Sequence, residues 1–258
     1  MPEGDTVWRT ARRLHGVLAG RELTRFELRV PQAATVDLTG RTVDGVEARG
    51  KHLLHRIGDR TLHSQLKMEG EWRVYRRGEP WRAPAFKARA VVGTHAHETV
   101  GFDLAGIAVV AAGDEERLVG HLGPDPLNDD PFDAAEAGRR LGRDARAVHV
   151  ALLDQRNVAG FGNEYANELL FLRGILPTTP AADVDAAALI DLGTRIIRAN
   201  RDRIDRTFTG DARPGRTTWV YRRENRPCRR CGALIRGGSL GADPTRERIL
   251  FWCPSCQR

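Results

Sequence analysis

Four cysteines stand as two pairs, Cys228-Arg-Arg-Cys231 and Cys253-Pro-Ser-Cys256, all within the last 31 residues and with 21 residues between the pairs. In a reducing compartment this spacing points to a metal ion rather than to disulfides. Four thiolates suit tetrahedral Zn2+, and a shell closed by four cysteines leaves no open position for chemistry, so the expected zinc is structural. The residues between the pairs, among them Arg236, Arg246 and Arg248, read as a hairpin too small to fold without its metal. Such a hairpin would display arginines to a phosphate or a groove. The plainer alternative is a zinc ribbon that serves a protein contact.

The other end of the chain offers a different chemistry. Removal of Met1 would make Pro2 the N-terminus. An α-amino group titrates near about 7.7–8.0 and a lysine near about 10.4, so at neutral pH roughly several hundred times more of it is unprotonated. Attack by this secondary amine on a sugar C1′ gives a cationic iminium, an electron sink for breaking the adjacent C–O bonds. Glu3 stands beside the amine, placed to move protons. Taken alone, Pro2-Glu3 is also an ordinary way for a protein to begin.

A third group is Gly160-Phe-Gly162-Asn163. Two glycines allow a tight turn with positive φ and let backbone N–H groups approach an anion closely. Asn163 then opens a helix, whose dipole favours a phosphate. A helix–helix turn with Asn163 as an ordinary N-cap reads the same residues equally well.

These groups need elements to hold them. Residues 5–19 read as an amphipathic helix, with Val7, Ala11, Leu14 and Leu18 at helical spacing and Gly20 as its stop. From Glu22 to about Ala112 the pattern changes to short runs rich in Val, Leu and Thr. Thr42–Ala48, Thr61–Leu66, Trp72–Tyr75 and Ile107–Val110 are examples, and they predict an antiparallel sandwich or barrel. Gly123-Pro-Asp-Pro-Leu-Asn-Asp-Asp-Pro131 carries three prolines and reads as a linker. Helices are expected over Ala145–Gln155, Glu164–Arg173 and about Val184–Arg206. The expected domains are 1–122 (β-sandwich with its leading helix), 123–136 (hinge), 137–218 (helical) and 219–258 (metal hairpin).

Composition bounds the partners. The net charge is +7, and lysine occurs only at Lys51, Lys67 and Lys87, so nearly all the positive charge is arginine. Arginine's planar donor fork matches phosphate oxygens, although an arginine-biased genome would leave the same excess. No run approaches the roughly 18 apolar residues of a membrane span. The start lacks the basic-then-apolar pattern of a signal peptide, so a cytoplasmic protein is expected.

Four motifs in one order now combine: MPEG at the start, Arg49-Gly-Lys51-His-Leu-Leu54, Leu152-Leu-Asp-Gln-Arg-Asn-Val-Ala-Gly-Phe-Gly-Asn163, and Phe251-Trp-Cys-Pro-Ser-Cys-Gln257. Together they resemble the formamidopyrimidine-DNA glycosylase/endonuclease VIII family over essentially the whole chain. The MPEGDTVW start is similar to the endonuclease VIII branch of actinobacterial type. The resemblance implies an α+β multidomain fold, in which an N-terminal β-sandwich with a leading helix precedes a helical domain with a helix-two-turn-helix and a four-cysteine zinc finger. It implies a bifunctional enzyme that flips a damaged nucleotide out of DNA; nothing in the sequence requires more than a monomer. By that analogy Pro2 is the nucleophile and Glu3 the general acid/base. Lys51, Asn163 and Arg248 contact phosphates, and Met68 wedges into the gap left by the flipped base. A competing role for Met68 is core packing, with Leu66 and Met68 on one strand face. The implied chemistry is base displacement followed by elimination at the 3′ and then the 5′ phosphate, with oxidised pyrimidines ahead of oxidised purines as substrates. One departure concerns a second glutamate usual in the family: Thr6 stands there, preceded by Asp5. A chain that keeps Met1 would have no free Pro2 amine and would be inert. Two other readings are a lesion binder without catalysis and a zinc-containing nucleic-acid-binding protein.

Overall fold

The computed structural model describes residues 2–241 and 247–258, so Met1 and Arg246 lie outside the described residues. The chain divides into two compact units, residues 1–121 and 122–258.

The first unit opens with helix α1 (Gly4–Leu18), whose Val7, Ala11, Leu14 and Leu18 are all buried, as their spacing requires. Gly20, at φ 71°, ends it in a backbone conformation that costs glycine little. Eight strands follow: β1 (Arg25–Leu28), β2 (Val43–Arg49), β3 (His52–Ile57), β4 (Arg60–Gln65), β5 (Glu71–Arg76), β6 (Ala88–Gly93), β7 (His97–Phe102) and β8 (Gly106–Ala111). They form two antiparallel four-stranded sheets, ordered β1-β6-β7-β5 and β2-β3-β4-β8. One core joins them: Phe26, Trp72 and Val92 of the first sheet pack with Val46, Leu53, Leu62 and Ile107 of the second and with the apolar stripe of α1. The sandwich expected from the sequence is present.

The outer face of the second sheet is covered by chain as well. A short helix, α2 (Glu116–Val119), lies next to Glu115, whose carboxylate accepts from Arg56 Nε at 3.0 Å and from Thr61 Oγ1 at 2.5 Å. Arg56 and Thr61 are cross-strand partners, so Glu115 closes a lattice over β3 and β4.

The second unit begins with the proline-rich segment. Gly123 N donates to Gln155 O at 2.8 Å, Ala159 N donates to Pro124 O at 3.0 Å, and buried Asp125 accepts from Leu127 N at 2.9 Å. This segment is therefore strapped to its own unit. Helix α3 (Ala134–Gly142) starts where Asp133 accepts from Glu136 N, a helix that periodicity alone did not reveal. Helix α4 is only Val148–Leu153, shorter than the expected Ala145–Gln155. Residues before it are spent otherwise: Asp144 Oδ1 accepts from Arg146 N, and Arg146 O accepts from Ala181 N. Helix α5 (Asn163–Arg173) ends on Gly174 at φ 72°. Helix α6 spans Ala186–Asn200 and stops short of the expected Arg206, because the Asn200 side chain accepts from Thr207 N and donates to Thr207 O. Strands β9 (Arg236–Leu240) and β10 (Arg248–Trp252) form the expected hairpin. Among the described residues no helix is long and apolar enough to cross a membrane.

Helices α5 and α6 meet where glycine is required. A Cβ on Gly193 would lie 2.5 Å from Phe161 Cζ and 3.1 Å from Leu169 Cδ1, and Phe161 is fully buried. Gly193→Ala should therefore lower stability by about 1–3 kcal/mol. The check is urea denaturation, where a lower midpoint at unchanged slope is expected; a variant as stable as the parent would mean that Phe161 can move aside.

Candidate functional site

Chain geometry collects several of the expected residues at one end of the first unit. The chain just after α1 is tied to the first residue of β2, with Gly20 N donating to Val43 O at 2.8 Å. Midway, Val46 N donates to His15 Nδ1 at 3.2 Å, so α1 and β2 run side by side in opposite directions. From His15 back to Glu3 is about 18 Å of helix. From Val46 forward to Lys51 is about 17 Å of strand. Pro2 and Glu3 thus reach the same end of the sandwich as Lys51.

Lys51 sits in the two-residue turn between β2 and β3. Gly50 precedes it at φ 57°, the conformation that a type II′ hairpin asks of its first central residue. His52, the next residue, pairs with Gln65 at the end of β4, so the turn after β4 is at this end too. In that turn Lys67 adopts φ 50° and Gly70 N donates back to Leu66 O at 2.9 Å. Leu66 is 2% exposed and Met68 63% exposed, so the two do not share a strand face, and the core-packing role considered for Met68 does not apply. Lys87 belongs to the same end. It ion-pairs with Asp103 at 2.9 Å, which keeps its ammonium charged, and Asp103 O lies beside Gly70. All three lysines of the chain gather there.

Glu3 is the N-cap residue of α1, and its backbone carbonyl accepts from Val7 N; its side chain and that of Asp5 are fully buried. Asp5 Oδ1 accepts from Thr6 N at 2.7 Å. A carboxylate in the first helical turn is favoured by the helix dipole. Sequence reasoning missed the imidazoles beside Lys51. His52 Nδ1 and His63 Nε2 are 2.8 Å apart, and Gln65 Nε2 lies 3.1 Å from His52 Nε2. Burial holds His52 down at about 4 and lowers His63, so both are neutral at physiological pH. The available signal was the register that puts His52, His63 and Gln65 on one face of β3 and β4.

In the second unit the glycine-rich turn is braced from inside. Gln155 donates to Phe161 O at 2.8 Å and accepts from Gly160 N at 2.9 Å. Gly160 takes φ 95°, whereas Gly162 is extended and serves as the N-cap, so only one of the two glycines uses a positive φ. Asn163 is the first residue of α5 rather than its cap. Its Nδ2 donates to Ile249 O on β10 at 2.8 Å, which places it next to Arg248, an exposed residue at the start of that strand.

The cysteine hairpin is docked on α5. Glu168, fully buried, accepts from the backbone N–H groups of Trp219, Val220 and Tyr221 at 2.8–2.9 Å. Burial pushes its carboxyl up to about 7 against those three donors. Phe171 of α5 packs with Val220, Ile235 and Phe251. The four expected cysteines come together: their sulfurs all lie within 4.8 Å of one another, with Cys231 and Cys253 at 3.4 Å and Cys228 and Cys256 at 4.0 Å. Thiolates 2.3 Å from a tetrahedral centre would be about 3.8 Å apart, so the cluster can hold a metal ion.

Residues 1–121 match the family model of the formamidopyrimidine-DNA glycosylase N-terminal domain, and residues 122–207 that of the formamidopyrimidine-DNA glycosylase H2TH domain. The chain is 49% identical to the probable endonuclease 8 2 of Streptomyces coelicolor, over 100% of this chain and 94% of that protein. It is 45% identical to the DNA-(apurinic or apyrimidinic site) lyase Nei2 of Mycolicibacterium smegmatis, over 100% of this chain and 99% of that one. A solved structure of MutM in complex with DNA containing carbocyclic 8-oxo-G is similar at a TM-score of 0.81 and 25% identity, over 100% of both chains. Two adjoining family models and relatives of this identity along its whole length establish that the chain belongs to the formamidopyrimidine-DNA glycosylase/endonuclease VIII family.

Proposed function

We propose that the protein is a bifunctional DNA glycosylase and abasic-site lyase of base excision repair, acting on oxidised bases with pyrimidines preferred. The supporting observation is the convergence at one end of the sandwich of the Pro2–Glu3 start, the Gly50–Lys51 turn and the exposed Met68. Pro2, freed of Met1, attacks C1′, and the base departs with the electron pair of its glycosidic bond while Glu3 handles the proton. Ring opening leaves an iminium. Loss of a C2′ proton then sends electrons through it to expel the 3′ phosphate, and a second elimination expels the 5′ phosphate. Asp5, buried in the same first turn, stands nearest to the role of the second glutamate that Thr6 replaces.

Lys51, Asn163 and Arg248 are assigned to phosphates, which carry no base identity and suit a search over all DNA. One Nδ2 hydrogen of Asn163 goes to Ile249 O; the amide has a second to offer. Met68, held out by its turn, fills the space of the flipped nucleotide. The metal at Cys228, Cys231, Cys253 and Cys256 is assigned as structural Zn2+, which fixes the strand bearing Arg248 and takes no part in the reaction. Residues 1–122 would carry the nucleophile, 123–136 the connection, and 137–218 with 219–258 the phosphate grip. A single chain holds every group named. The relatives named endonuclease 8 agree with the branch that the MPEGDTVW start resembles and so support the pyrimidine reading, while the MutM complex with carbocyclic 8-oxo-G supports oxidised purines as the second reading.

Borohydride trapping on duplexes with an oxidised pyrimidine, 8-oxoguanine or an abasic site should give an adduct that maps to Pro2, strongest with the pyrimidine. No adduct on any of them, from protein whose N-terminus is Pro2, would leave a binder without catalysis. Arg248→Ala should weaken binding to abasic-site DNA about tenfold or more with zinc content intact; normal binding would remove Arg248 from the site. Cys253→Ser should lower bound zinc well below the parent's one ion per chain, and a metal assay that finds no zinc in the parent would end the zinc assignment.

A further inference from the structure

The phosphate grip proposed above depends on where β10 sits, and β10 is an edge strand. Its residues 248, 250 and 252 face β9, while the N–H and C=O groups of 249 and 251 point the other way. Buried backbone groups on an open edge need partners. Here α5 supplies them with side-chain amides: Asn163 Nδ2 donates to Ile249 O at 2.8 Å, and Asn167 Oδ1 accepts from Phe251 N at 2.6 Å. Two asparagines one helical turn apart stand in for a third strand.

These contacts dictate every other role. Ile249 O can only accept, so Asn163 presents Nδ2 to it and turns Oδ1 away. Phe251 N can only donate, so Asn167 presents Oδ1, and its Nδ2 goes to Asn163 O at 2.6 Å and, more weakly, to Asn163 Oδ1 at 3.2 Å. Asn163 Oδ1 then meets His149 Nε2 at 3.0 Å, which must be the donor. His149 is fully buried on α4, and its Nδ1 meets no hydrogen-bond partner among the described residues. A buried nitrogen without a partner is costly, so the ring is held in place by the contact of Nε2 alone. Burial also holds it down at about 4, so it stays neutral with its hydrogen on Nε2.

We propose that His149 is a positioning residue for DNA binding: its Nε2–H locks the Asn163 amide, the locked amide holds the outer edge of β10, and that edge sets Arg248. The proposal rests on the reading of Arg248 as a phosphate contact. His149 is fully buried and reaches the surface only through Asn163, so the proposed route runs from that amide along the strand to Arg248.

The test measures the affinity of the full-length zinc-loaded protein for a duplex carrying a tetrahydrofuran abasic-site analogue. The variants are His149→Leu, His149→Gln, Arg248→Ala and His149→Leu with Arg248→Ala. Leucine removes the donor, whereas glutamine places an amide N–H the same number of bonds from the backbone as Nε2. His149→Leu should weaken binding about tenfold. His149→Gln should restore most of that loss, and His149→Leu should add less than about twofold once Arg248 is gone. Should leucine unfold the unit, His149→Gln against His149→Met, with exchange of the Phe251 amide as a second readout, decides the same point: methionine should speed exchange and glutamine should not. Weakened binding by Arg248→Ala beside unchanged binding by His149→Leu overturns the proposal alone, and so does full additivity in the double variant. Normal binding by Arg248→Ala overturns the reading of Arg248, and the proposal with it.

Discussion

The second unit depends on a carboxylate buried away from solvent. Glu168 is fully buried within α5 and is satisfied by three consecutive backbone N–H groups from residues 219–221. Burying an ionised carboxyl without partners would cost several kcal/mol, and three donors offset much of that cost. The burial still raises its pKa to about 7, so the bonds carry a real desolvation burden. Only the conformation that aims all three N–H groups at one point relieves it. The chain must therefore leave residue 219 along a set path, and the cysteine hairpin begins from that path.

Everything downstream uses the same helix. Asn163 and Asn167 hold the edge of β10, Glu168 holds the entry to the hairpin, and Phe171 fills the small core beneath Val220, Ile235 and Phe251. A four-thiolate cluster can tie the hairpin to itself but not to the rest of the protein. Helix α5 makes that second connection, and its first residue also closes the turn braced by Gln155 and anchored by Phe161. Glycine at 193 is part of the same arrangement, since Phe161 occupies the volume that any side chain there would need.

The first unit solves a different problem, that of bringing short turns from distant parts of the chain to one end. An antiparallel sandwich does this through register. With His52 opposite Gln65, the turns before β3 and after β4 must lie side by side. With α1 antiparallel to β2, the N-terminus must arrive beside them. In a chain that otherwise uses arginine, Lys51, Lys67 and Lys87 all occupy this end. Lysine differs from arginine in being a compact point charge able to lose its proton, and neutral His52 and His63 add no positive charge against it.

What the sequence made legible follows from these forces. Helix α1, the strands and the cysteine pairs announce themselves because apolar spacing and ligand spacing are local. Helix α5 was legible as a helix over Glu164–Arg173, but the inward aim of its polar residues was not, because it is buried nearly all round: Asn167 and Glu168 lie inward together with Tyr165, Leu169 and Leu170. A helix with no solvent face has no polar stripe against which an inward asparagine could look out of place. The partners of Asn163, Asn167 and Glu168 lie 86, 84 and 51–53 residues away, so no window of sequence could have contained them. His149 lies only 14 residues from its partner Asn163, but the role proposed for it exists only after β10 is in place. The residues proposed to carry chemistry were readable because reactivity belongs to the side chain itself; those proposed to aim it were not, because aiming belongs to a pair, and the second member of each pair arrives only with the fold.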